Sequence, residues 1–216
     1  PKKSIRQLDL TGRRLFIRVD FNVPIHNGVI GDDTRIRAAL PTLSHALDRG
    51  ATVIIGSHLG RPEGTANPAF SLRPIVNRLT ELLDRPVVFS PEATGPRAAN
   101  AVTEAAPGGV VLLENLRFHP GEEANDGKFA AALAALADCY VNDAFGVAHR
   151  AHASTVGIVQ YLSDAAAGLL MASELAHLGA LLESPPRPFV AVLGGAKVSG
   201  KLEVIENLLS RIDTLL

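Results

Sequence analysis

With 216 residues, 47% of them hydrophobic and 20% charged, the chain is long enough for one large domain or two small ones with a real core. A formal net charge of −1 excludes a general nucleic-acid coat or a polybasic membrane anchor, so any anion site must come from local placement of cations. The one cysteine, Cys139, excludes an intrachain disulfide, and no apolar run approaches the ~18 residues of a membrane span, so a cytoplasmic protein is expected.

Short apolar, β-branched runs recur along the chain: RLFIRVDF (14–21), ATVIIGSH (51–58), RPVVFS (85–90), GVVLLENL (109–116), DCYVNDAF (138–145) and RPFVAVLGG (187–195). Each is nearly continuous in hydrophobicity, as in strands buried on both faces. After the first, PIHNGVI predicts a small hairpin around Asn27-Gly28. Asp32, Asp33 and Thr34 then offer caps for a helix carrying Ile36, Leu40, Leu43 and Leu47, with Pro41 in its early turns. Ser71 is expected to cap a helix with Leu72, Ile75, Val76, Leu79 and Leu83; Gly95-Pro96 opens another, and Asp126 caps a third bearing Phe129, Leu133 and Leu136. Alternating strands and helices predict an α/β fold, a doubly wound, Rossmann-like parallel sheet.

Two segments break the alternation. Residues 165–183 read as one long helix with Met171, Leu175, Leu178 and Leu182 as ordinary core, ending at the linker Ser184-Pro185-Pro186. A strand at 187–193 and a helix at 202–212, with Ile205–Leu209 as core, begin a second α/β domain of which only one strand-helix unit is expected. The division predicted is 1–165 for the first domain, 166–186 for a connecting helix and linker, and 187–216 for an incomplete second domain, the chain reading as truncated.

Open α/β sheets bind ligands beyond the carboxyl ends of their strands. There the sequence places Asp20 and Asn22, His58 and Arg61, Arg117, and Arg150, with Arg35 at the start of the first helix. A lone surface arginine is usually a solvated charge. Four converging on one edge of a near-neutral protein repel one another unless an anion completes them, and the guanidinium fork suits phosphate and carboxylate. His149 and His152 have metal-ligand spacing but no carboxylate or cysteine beside them, so no metal site is predicted. Cys139 reads as a buried small hydrophobe. Gly195 to Lys201 fits G-x-x-x-x-G-K, yet Leu202 stands where a phosphate-binding loop needs the hydroxyl that ligates Mg²⁺.

In order and separation, RVDFNVP, TRIRAALPT, GSHLGRP, LLENLRFHPGEE, YVNDAFGVAHRAHAS and GGAKVSGK together resemble the phosphoglycerate kinase family, from about Leu8 to the last residue. The resemblance covers the N-terminal domain, the interdomain helix and the entry to the nucleotide domain. It implies a glycolytic kinase, a transferase whose partners are 3-phosphoglycerate or 1,3-bisphosphoglycerate and ATP or ADP, monomeric at full length. Carried over by motif, substrate-binding residues are Asp20, Phe21, Asn22, Arg35, His58, Leu59, Gly60, Arg61, Arg117 and Arg150. Arg35 and Lys197 would be catalytic, and Gly195, Lys197 and Lys201 would contact the nucleotide. Mg²⁺ would accompany ATP or ADP, its protein ligand lying beyond Leu216. The alternative reading is a non-catalytic phosphate- or anion-binding module.

Overall fold

The computed structural model describes residues 2–105, 107–183, 185–194 and 202–216. Two compact units form, Pro1–Ala172 and Ser173–Leu216. The first is built on a six-stranded, wholly parallel sheet. Strand β1 (Arg14–Arg18) leads through a hairpin, β2 (Ile25–His26) and β3 (Val29–Ile30), into helix α1 (Thr34–Asp48). There follow β4 (Thr52–Gly56), α2 (Ile75–Leu83), β5 (Val87–Ser90), α3 (Gly95–Glu104) and β6 (Val110–Leu113). A 3₁₀ turn (Leu116–Phe118), α4 (Pro120–Glu123), α5 (Gly127–Ala134), β7 (Cys139–Asn142) and β8 (Ala165–Ala167) follow, and α6 (Leu169–Glu183) begins in the first unit and continues into the second.

Strand order is β5-β6-β4-β1-β7-β8. The chain winds from β1 out to one edge and returns to the other, so the winding switches direction beside β1, where open sheets form their ligand crevice. Side chains alternate across the sheet: Leu15, Ile17, Val53, Ile55, Val110, Leu112 and Val141 pack into one core. Phe16, Ile54, Val111, Leu113 and Tyr140 pack into the other, beneath α3 and α5. Both faces are therefore covered, which is why the strands read as continuous apolar runs.

Several local expectations change. Pro41 lies inside α1 rather than in its early turns. Asp33 makes no cap bond but pairs with Arg37 and Arg78, while Asp32 Oδ1 accepts from Thr34 N. Helix α2 starts at Ile75, not at Leu72, because Pro74 fixes the chain there; the Ser71 hydroxyl donates to Glu114 and accepts from Arg73 N. Asp126 does cap α5, accepting from Phe129 N at 2.8 Å.

The largest revision concerns 165–183. Ala165–Ala167 pairs with β7 as an edge strand, and the helix begins only at Leu169. Gly168 separates the two: a Cβ there would stand 2.1 Å from Asp143 Oδ1. Asp143 uses that oxygen to accept from Met171 N (3.1 Å), and Thr42 Oγ1 accepts from Leu169 N (2.9 Å), so the first turn of α6 is held by two side chains remote in sequence. Burial comes first in raising the Asp143 pKa. Met171 is buried, but Leu175 and Leu178 are 39% and 44% exposed, so they are not core in this chain.

The second unit carries β9 (Val190–Ala191), α7 (Leu202–Leu209) and β10 (Thr214–Leu215). The expected lone strand-helix unit is thus a β-α-β unit, because Thr214 and Leu215 pair in parallel with Val190 and Ala191. Asp213 accepts from Arg187 Nη1 (2.7 Å) and Phe189 N (2.6 Å), anchoring that return. Leu209 is 56% exposed, so the helix row predicted as core is not packed on its whole length.

Candidate functional site

Four adjacent strands, β6, β4, β1 and β7, deliver Asp20, Asn22, His58, Arg61, Arg117 and Arg150 to one place, and the first turn of α1 adds Arg35. A cavity of about 290 Å³ beyond their carboxyl ends is lined by Asp20, Asn22, Arg35, His58, Gly60, Arg61, Arg117, Gly146, Val147 and Arg150. Seven of the polar and charged residues expected from the sequence are among them, so the joint placement read from strand ends holds in three dimensions. Phe21 and Leu59 do not line it: both are buried apolar core, Phe21 N bonding Ser57 Oγ and the Leu59 carbonyl accepting from Asn115. Gly195, Lys197 and Lys201 lie outside the described residues.

The backbone around Gly60 is the frame of this cavity. Its φ of +62° and the absence of room for a Cβ, which would meet the Phe70 ring at 2.4 Å, both demand glycine. In this conformation Gly60 N donates to Asn22 Oδ1 (2.9 Å), and its carbonyl accepts from Arg117 Nη1 (2.9 Å). One residue thereby ties the loops after β1, β4 and β6 together.

Charge is unbalanced here: four arginines face one carboxylate in the lining. Asp20 is taken by Arg35, Nη1 to Oδ2 at 2.5 Å, and its other oxygen accepts from Asn22 N. Arg117 is 5% exposed, and Glu123 touches its Nε edge at 3.1 Å. Burial first, and the neighbouring Arg18 and Arg150 next among the opposing influences, pull the Arg117 pKa down despite Glu123. Arg61 and Arg150 are exposed at the rim. An anion entering this cavity meets the Arg117 guanidinium already oriented by the Gly60 carbonyl, with the exposed Arg61 and Arg150 free to close on it.

Buried polar groups beneath the cavity were not singled out in the sequence. Arg18 and Glu122 are fully buried, and Ser154 lies between them. An arginine closing an apolar run and a serine in HAST carry no signal until the sheet places them together. A larger, shallower groove of about 930 Å³, lined in part by Asn67, Ser71, Arg73, Asn77, Phe89 and Phe118, lies elsewhere. Among the described residues its one cation, Arg73, stacks over the Phe89 ring at 4.6 Å, so size does not make it the anion site. Among the described residues no group of three His, Cys, Asp or Glu side chains is arranged to hold a metal ion, and no helix is long and apolar enough to cross a membrane. Cys139 is buried, and burial pushes its thiol up to about 11.

The phosphoglycerate kinase family model matches residues 5–216. The chain belongs to the phosphoglycerate kinase family. It is 57% identical over 216 residues to phosphoglycerate kinase of Desulforudis audaxviator strain MP104C, covering 100% of this chain and 55% of that protein. To the phosphoglycerate kinase of Chloroflexus aggregans strain MD-66 it is 58% identical over 218 residues, covering 100% of this chain and 54% of the relative. Among solved structures, phosphoglycerate kinase from Coxiella burnetii aligns with a TM-score of 0.85 at 42% identity, over 100% of this chain and 54% of that one. The Pyrococcus horikoshii OT3 enzyme aligns at 0.88 with 34% identity, over 99% and 54%. The α/β fold is thus that of phosphoglycerate kinases, and the chain spans about half the length of these relatives.

Proposed function

We propose that residues 1–165 are the 3-phosphoglycerate-binding domain of a phosphoglycerate kinase, that 166–186 connect it onward, and that 187–216 begin its nucleotide-binding domain. The whole enzyme would transfer a phosphoryl group reversibly between ATP and the carboxylate of 3-phosphoglycerate, giving 1,3-bisphosphoglycerate, in the cytoplasm. The observation that carries this reading is the cavity in which Arg61, Arg117, Arg150 and His58 converge beside Asp20, Asn22 and Arg35.

In this reading His58, Arg61, Arg117 and Arg150 grip the phosphate that is not transferred, while Asp20 and Asn22 hold the glycerate hydroxyl and carboxylate end. Arg35, 53% exposed, stands at the mouth beside the carboxyl group that reacts. The acceptor is ionised at neutral pH, so the step needs no general base: a carboxylate oxygen forms the new bond to phosphorus as the bond to ADP breaks. What the protein supplies is alignment and positive charge on the transferring oxygens. Lys197 would steady the group in flight, and Gly195 and Lys201 would meet the nucleotide phosphates. Mg²⁺, arriving with ATP or ADP, would neutralise phosphate charge; no set of described residues fits it.

These 216 residues by themselves are expected to bind 3-phosphoglycerate without turning it over. Calorimetry should give a saturable, one-to-one heat with 3-phosphoglycerate, and a coupled assay with ATP should give no rate above background. No heat at millimolar ligand would remove the substrate assignment. Turnover at the level of an intact kinase, from a sample of confirmed mass, would overturn the reading that 187–216 supply only the beginning of the nucleotide site.

A further inference from the structure

Under the cavity floor, buried side chains form one directed chain of hydrogen bonds. Arg18, the last residue of β1, is fully buried. Its Nε donates to Ser154 Oγ (2.8 Å), its Nη1 donates to the Val19 carbonyl, and its Nη2 lies 3.3 Å from His58 Nδ1. Ser154 in turn donates its hydroxyl to Glu122 Oε1 (2.5 Å), and Glu122 Oε2 accepts from Ser154 N (3.0 Å). Glu122 Oε1 is also 3.9 Å from Arg18 Nη2, and Tyr140 fixes the Ser154 carbonyl from the other side (2.8 Å).

The direction of each bond is set by chemistry. A guanidinium has five donors, no acceptor, and keeps its proton in proteins. His58 Nδ1 must therefore offer Arg18 a lone pair, which puts the single proton of the neutral ring on Nε2. That nitrogen takes no partner among the described residues, and His58 lines the cavity. A second proton on the ring would place two donors face to face at 3.3 Å.

We infer that Arg18, anchored by Ser154 and Glu122, is a positioning residue that locks His58 as the uncharged Nε2–H tautomer. His58 then presents a directed hydrogen-bond donor to the bound phosphate without adding another cation to a floor that is already cationic. Glu122 makes this possible by compensating a guanidinium that has no access to water. The charged groups around the ring act in the same sense: after burial, Arg18, Arg117, His152 and Arg35 hold its pKa down, to about 2. The part played by phosphate rests on the function proposed above; the tautomer lock does not.

Histidine-labelled ¹⁵N spectra of the ligand-free chain test the lock directly, through two-bond couplings that distinguish the tautomers, with His58→Gln to assign the ring. The expected result is Nε2–H with a bare Nδ1 from pH 8 down to pH 5.5. An Nδ1–H ring, or an imidazolium at pH 6, would overturn the inference. The pair Arg18→Leu with Glu122→Gln removes the donor without leaving a lone buried charge. In it His58 should exchange between both tautomers, and 3-phosphoglycerate affinity should fall only by the inverse of the Nε2–H fraction, roughly twofold. An unchanged Nε2–H ring there would show that Arg18 only packs. If that variant does not fold, the native spectrum still decides. A correct tautomer in a chain that ignores 3-phosphoglycerate would count against the proposed function instead.

Discussion

Replacing Arg117 by alanine should weaken 3-phosphoglycerate binding about 100-fold or more, because it removes charge-assisted bonds worth about 1.5–3 kcal/mol each. Arg117 is the most buried of the lining arginines and is already oriented, by Nη1 on the Gly60 carbonyl and Nε beside Glu123. Little side-chain entropy remains to be lost when an anion arrives. Arg117→Lys keeps the charge but not the planar fork, and should fall between the native chain and Arg117→Ala. Arg97, 68% exposed and only loosely paired with Glu92 at 3.7 Å, supplies the control: Arg97→Ala should bind as the native chain does. Calorimetric titration at one fixed salt concentration reads all three. Equal affinity for Arg117→Ala and the native chain would take Arg117 out of the site.

Glu122→Leu should destabilise the chain by about 3–5 kcal/mol, the range for breaking a buried ion pair by removing one partner. The leucine would leave Arg18 as an uncompensated buried cation and strip acceptors from both Ser154 N and Ser154 Oγ. Glu122→Gln, which keeps one acceptor and the side-chain volume, should cost less. Urea unfolding of the three chains measures this, as a lowered midpoint at unchanged slope. A loss under about 1 kcal/mol for Glu122→Leu would mean that Arg18 reaches water or another acceptor, contrary to its complete burial.

The parallel sheet could be read from the sequence because covering both faces leaves strands such as TVIIG and VVLL wholly apolar. Ala165–Ala167 was misread for the opposite reason. Alanine favours helix locally, and only pairing with Tyr140–Asn142, followed by the cramped Gly168, makes this segment a strand. The start of α2 was misplaced because Ser71 looks like a cap in isolation, whereas its hydroxyl is committed to Glu114 on a loop 43 residues away. Asp20, Asn22, His58, Arg61, Arg117 and Arg150 were legible since each follows a strand, and strand ends of a doubly wound sheet share an edge; Gly146 and Val147, also in the lining, carry no such chemical signal. The support beneath was not. Arg18, Glu122 and Ser154 come from distant segments, and a charged residue is taken for a surface one until the fold shows that it has no water.

A ¹H–¹⁵N amide titration of the 216-residue chain tests most directly whether 3-phosphoglycerate binds in the proposed cavity. Shifts should concentrate at Asn22, Gly60, Arg61, Gly146 and Arg150, saturating together with one affinity. Shifts confined to the Asn67–Phe89 groove, or none at saturating ligand, would contradict the account.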